Sequence, residues 1–95
     1  MSRLAELFDG CRAEGRAALI GYLPTGFPDV QTSISAMTAM VESGCDLVEV
    51  GVPYSDPGMD GPTIAAATEA ALAGGVRVRD TLAAVEAISN AGGRA

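Results

Sequence analysis

The stretch LVEVGVPYSDPGMDGPTI, residues 47–64, sets the reading of this chain. It opens with a short apolar run interrupted by one carboxylate, Glu49, between Val48 and Val50. A continuous run of that length suits a strand covered on both faces, as in a parallel sheet. Gly, Pro, Ser and Asp then crowd residues 51–61, the composition of a long loop. Pro62 follows, a residue favoured in the first turn of a helix because its missing N–H is not needed there. Strand, loop and helix in that order make the βα step of a parallel α/β fold.

Working outward, the strand is expected over residues 45–50 and the helix after the loop over 62–73, stopped by Gly74 and Gly75. Upstream, Ile34, Met37 and Val41, with Met40 beside them, follow helical spacing within 29–44. Asp29 is placed to cap that helix and Gly44 to close it. Residues 17–23, AALIGYL, form a second apolar run that reads as a buried strand, ended by PTGFP at 24–28. Leu4, Leu7, Phe8 and Cys11 predict a helix over 2–15, with Ser2 as its cap and Gly15 as its stop. A last helix over 78–91 places Val78, Leu82, Val85 and Ile88 on one face and ends at Gly92-Gly93.

Strands alternating with helices imply parallel pairing, since each crossover returns the chain to the same edge. A sheet of only two strands is marginal by itself, and a complete barrel needs about 250 residues and eight strands. The 95 residues are therefore expected to form one partial domain, the N-terminal fragment of a TIM (β/α)8 barrel.

Composition removes several functions. The net charge is −6 with only 6 Lys and Arg, and nucleic-acid affinity depends on neutralising phosphates, so no nucleic-acid partner is expected. No run approaches the roughly 18–20 apolar residues of a membrane span, and Arg3, Glu6 and Asp9 near the start do not make a secretory leader. A cytoplasmic protein is expected, with Cys11 and Cys45 as reduced thiols. The chain has no histidine, which removes a Ser-His or Cys-His nucleophile, and no metal site is expected.

Two acidic residues carry the candidate chemistry. Glu49 lies near the carboxyl end of its strand, where barrel active sites gather, on the face opposite Val48 and Val50. It reads either as a strand-end carboxylate bonded to a neighbouring loop or as a general acid/base whose protonated form is favoured by apolar walls. Asp60 precedes Gly61-Pro62. It reads either as a helix cap or as a second carboxylate that divides acid and base work with the first. Asp56, in Ser55-Asp56-Pro57, suits an Asx turn or a contact with a partner subunit. Tyr22 is either a core aromatic with a bonded hydroxyl or part of a pocket wall.

The run at residues 47–64 closely resembles the signature of the tryptophan synthase α subunit family. AALIGYLPTGFPD upstream and ALAGGVRVRDTL downstream extend the resemblance over nearly the whole chain. It implies a lyase of tryptophan biosynthesis that cleaves indole-3-glycerol phosphate to indole and glyceraldehyde 3-phosphate. Carried over by position, Glu49 is the principal acid/base, and Asp60 holds the indole N–H and the positive charge that forms on the ring. Tyr22 matches a position, commonly Phe, that lines the indole pocket. Pro53, Asp56 and Pro57 match the loop that meets the β subunit in an α2β2 complex. No cofactor is implied for this subunit.

In that family the phosphate is held by glycine-rich loops late in the barrel, and a mobile loop closes the site. Both lie beyond Ala95, so the 95-residue chain alone is expected to have little or no lyase activity. Two alternatives compete. One is an inactive fragment that acts only by associating with itself or with the β subunit through exposed strand edges. The other is a different barrel binding a phosphorylated sugar, against which the SDPGMDGPT run argues.

Overall fold

The computed structural model describes residues 3–55 and 60–95. The expected Ser2 cap and the positions Asp56 and Pro57 lie outside the described residues. Two strands, β1 (Ile20–Pro24) and β2 (Leu47–Gly51), pair in parallel with Ile20 opposite Leu47, Tyr22 opposite Glu49 and Pro24 opposite Gly51. Four helices accompany them: α1 (Arg3–Ala13), α2 (Val30–Glu42), α3 (Pro62–Ala73) and α4 (Val78–Asn90).

Helix α2 begins where the sequence places its cap. The Asp29 carboxylate accepts from the Thr32 N–H at 2.8 Å and from the Thr32 hydroxyl at 2.9 Å. Those bonds, the backbone one foremost, hold its carboxyl below the usual range. The turn that delivers the chain from β1 to α2 is locked by Ser33, which is fully buried. Its hydroxyl donates to the Val30 carbonyl at 2.8 Å and accepts from the Gly26 N–H at 2.9 Å. Gly26 itself has φ +97°, and a Cβ there would come within 2.8 Å of the Val76 Cβ. Both the backbone conformation and the close approach of the α3–α4 connection require glycine.

Helices α2 and α4 cover one face of the sheet. Met37, Val48, Ala84 and Ile88 form its fully buried centre, with Leu23, Ile34, Met40, Val41 and Val50 packed around them. Burying a side chain the size of Met37 or Ile88 contributes roughly 1.5–3 kcal/mol, so this layer holds the two strands to the helices.

The other face differs from expectation. Ile20 is 45% exposed and Tyr22 38%, so β1 is covered on one face only. Ile20, Tyr22, Leu47 and Glu49 share that open side by strand alternation. The strand limits also move. Residues 17–19 precede the ladder: Leu19 N–H donates to the Asp46 carboxylate at 2.8 Å, and Leu19 O accepts from Asp46 N–H at 2.9 Å. Pro24 ends β1 rather than starting the turn, and the Thr25 N–H beyond it still bonds Gly51 O at 3.0 Å. The edge of β2 away from β1 receives the end of the chain, where Val48 N–H donates to Arg94 O at 2.9 Å.

The buried stripe of α4 is Thr81, Ala84 and Ile88. Val78, Leu82 and Val85, expected to share that face with Ile88, are 66%, 65% and 39% exposed. The helix is rotated because α2 and β2 meet it from one side, while Val85 looks along the far edge of β2. In α1, likewise, Leu7 and Cys11 are buried and Leu4 and Phe8 exposed. Both cysteines are free thiols. No described helix is long and apolar enough to cross a membrane.

Candidate active site

The carboxyl ends of β1 and β2 carry the groups singled out by the sequence. Val48 is fully buried against the helices, so the next side chain, Glu49, emerges on the open face. Its register partner across the ladder is Tyr22, which emerges on the same face. The Tyr22 ring does not stand straight up but leans over the end of β2. A Cβ on Gly51 would lie 2.7 Å from the Tyr22 hydroxyl oxygen and 2.9 Å from the Pro24 Cα. The missing side chain at position 51 is what lets the phenol settle there.

Asp60 reaches the same end of the sheet from the loop that follows β2. It is not the helix cap. Gly61 occupies the N-cap of α3 with no side-chain capping bond, and its carbonyl accepts from Ala65 N–H at 2.9 Å. Pro62 at the first helical position removes one N–H that would otherwise need a partner. The Asp60 carboxylate is thereby left exposed and unengaged by α3.

Electrostatics tie the three groups together. Partial burial pushes the Tyr22 phenol above its ordinary value of 10, and the negative charges of Asp60 and then Glu49 push it further. Both carboxylates therefore lie close enough to Tyr22 to resist ionisation of its hydroxyl. Two carboxyl groups near one phenol suit a ligand that offers N–H or O–H donors together with an oxygen acceptor.

Glu49 also borders a shallow hollow of about 360 Å³ with Leu4, Ile20, Val52, Thr81 and Val85. Asp60 is not among the residues that line it. A larger hollow, about 560 Å³, lies between Pro53 and the α3–α4 connection at Val76 and Arg77, with Arg79 of α4 beside them. Neither carboxylate lines that one, and neither hollow is lined by both of them. Of the positions expected at a partner interface, Pro53 is half-buried at the rim of the larger hollow. Asp56 and Pro57 fall outside the described residues.

At the opposite end of the sheet, sequence reading missed a latch. Arg16 donates to both Asp46 oxygens at 2.9 Å, and one of them also accepts from Leu19 N–H at 2.8 Å. The Arg16 bond, followed by the Leu19 N–H, brings the Asp46 carboxyl down to about 2. A two-pronged Arg–carboxylate pair fixes orientation as well as distance, and here it sets where both strands begin. Its partners stand 30 positions apart, a separation that no local pattern reveals. Gly51 was missed for a related reason: its role depends on the lean of a side chain from the other strand.

The profile of the tryptophan synthase alpha chain family matches residues 8–94. The chain is 82% identical over 94 residues to the alpha chain of Mycobacterium tuberculosis and 81% identical to that of Mycobacterium marinum. In each case the match takes in 99% of this chain and 35% of the relative, so the chain spans about a third of the length of those relatives. Among solved structures, the aminoacrylate-bound form of tryptophan synthase from M. tuberculosis superposes with a TM-score of 0.97 at 81% identity, over 99% of this chain and 38% of that one. The alpha subunit from Legionella pneumophila str. Paris gives 0.83 at 35% identity, over 90% of this chain and 32% of that one. The two parallel strands and their helices are thus the N-terminal part of a β/α barrel, and the chain belongs to the tryptophan synthase alpha chain family.

Proposed function

We propose that this chain is the N-terminal part of a lyase subunit that cleaves indole-3-glycerol phosphate to indole and glyceraldehyde 3-phosphate. What supports this most directly is Glu49 opposite Tyr22 near the carboxyl ends of adjacent parallel strands, with Asp60 on the loop that follows, in a chain of this family. Glu49, in its acid form, protonates the indole ring carbon that bears the glycerol chain. Asp60 accepts the indole N–H and faces the positive charge that protonation leaves on the ring. A carboxylate so placed stabilises the transition state more than the neutral ground state.

Glu49, now a carboxylate, takes the proton of the adjacent glycerol hydroxyl. The O–H electron pair becomes the aldehyde C=O, the C–C bond to the ring breaks, and its electrons restore the neutral indole. Glu49 ends protonated, as it began. Protons, electrons and atoms balance without a cofactor, and none is assigned to this subunit. The Tyr22 ring lines the indole side of the site.

The partner in this reading is a β subunit, met in an α2β2 complex through the loop containing Pro53, Asp56 and Pro57, in the cytoplasm. Indole release by a full-length chain carrying Asp60→Asn tests the assignment. A fall of roughly 10²-fold is expected, the scale of one lost electrostatic group; an unchanged rate removes Asp60 from the mechanism.

A second reading concerns the 95 residues alone. Ile20, Tyr22 and Val52 are exposed on or beside the strands, which leaves one face of the sheet uncovered. By themselves these residues are proposed to be inactive, because positioning supplies much of a barrier reduction of this kind, and to act only through association along that face.

A further inference from the structure

Tyr22 does more in this structure than fill the wall of a ring pocket. Its phenol reaches past its own strand to rest over Gly51, where a Cβ would stand 2.7 Å from the hydroxyl oxygen. On the same open face, its register partner is Glu49. The hydroxyl makes no hydrogen bond to any described residue, and the side chain is 38% exposed. A tyrosine hydroxyl commonly finds a partner when its ring is packed; this one has none among the described residues and stands open to a ligand.

We propose that the Tyr22 hydroxyl is a specificity-determining group, donating a hydrogen bond to the substrate hydroxyl oxygen whose proton Glu49 takes. This rests on the acid–base reading of Glu49 given above. Ionised carboxylates accept hydrogen bonds and cannot donate them, so Glu49 and Asp60 cannot supply a donor to that oxygen while they act as acceptors. Tyr22 can. A carbinol oxygen has one proton for Glu49 and lone pairs for the phenol, so the two side chains grip it from different directions. As the C–C bond breaks, that oxygen becomes the aldehyde carbonyl oxygen, and the phenol contact persists through the step. Burial and the neighbouring carboxylates hold the phenol in its neutral, donating form. Phenylalanine at this position would keep the ring contact and lose the donor. The ligand class favoured is therefore an indole bearing a hydroxylated side chain over indole alone.

The test compares Tyr22→Phe with the parent in a full-length chain, measuring kcat/KM for indole-3-glycerol phosphate and equilibrium binding of indole. The expected result is a roughly three- to tenfold fall in kcat/KM, the size of one hydrogen bond, with indole binding unchanged. An unchanged kcat/KM overturns the proposal. So does a parallel loss of indole binding by the same factor, which would assign the effect to ring packing. Glu49→Gln, assayed alongside, separates the two levels. If that variant retains turnover, the acid–base reading fails and this inference fails with it. If it is inactive while Tyr22→Phe matches the parent, the Tyr22 assignment alone fails.

Discussion

Tyr22 and Glu49 sit opposite each other in the parallel ladder and rise on the same open face of the sheet. The phenol leans onto the end of Glu49's strand at Gly51, while Val48 and Val50, on either side of Glu49, point into the helix layer. One strand pair thus sorts its side chains into a packed face that holds the fold and an open face that presents Tyr22 and Glu49.

The charge environment of Tyr22 can be read optically. The chain has two tyrosines and no tryptophan, so Tyr54→Phe leaves Tyr22 as the only phenol. Absorbance titration of that variant should place its ionisation above 10, for the causes of burial, Asp60 and Glu49 in that order. Adding Asp60→Asn and Glu49→Gln should lower it without restoring it fully, since the burial contribution stays. An ionisation that does not respond to either change would separate the carboxylates from Tyr22.

Gly51→Ala should be destabilising, against the usual benefit of replacing glycine within a strand. The new Cβ would meet the Tyr22 hydroxyl at 2.7 Å and the Pro24 Cα at 2.9 Å, and the second of these is backbone that cannot swing aside. A cost of about 1–3 kcal/mol is expected from such overpacking, measured by denaturant unfolding. A gain in stability would mean that the phenol does not lie over this position.

Acid stability should depend on the latch at the other end of the sheet. The Asp46 carboxyl is held at about 2 by Arg16 and the Leu19 N–H, against an ordinary value of 3.8. A lowered folded-state value means that its stabilising contribution is complete above the ordinary value and disappears as pH falls toward 2. Asp46→Asn should therefore be less stable than the parent at pH 6, with the difference shrinking between pH 4 and 2. Unfolding curves at several pH values check this; a difference constant down to pH 2 would contradict the pairing.

The sequence disclosed some of this and hid the rest for identifiable reasons. Asp29 and Pro62 mark helix starts through local chemistry, capping in one case and a missing N–H in the other, and such signals survive without tertiary context. Strand limits do not, because a ladder begins where a partner is in register: residues 17–19 are as apolar as the strand but are bound up with Asp46 instead. The apolar residues of α4 offered a stripe through Val78, Leu82 and Val85, yet small residues at Thr81 and Ala84 let the helix approach β2 and α2 on a neighbouring face. At the site, Glu49 was visible as a lone carboxylate among valines. The sequence left Asp60 undecided between cap and free carboxylate; Gly61 takes the cap. Gly51 and the Arg16–Asp46 pair were silent because each acquires its role from residues distant in the chain.

Indole release from indole-3-glycerol phosphate by a full-length chain carrying Glu49→Gln probes the proposed acid–base role itself, since the change keeps the size of the side chain and removes its ionisable proton. A fall of at least roughly 10²-fold is expected, as for loss of a general acid/base, with the fold intact by circular dichroism. Turnover at the parent rate would contradict it.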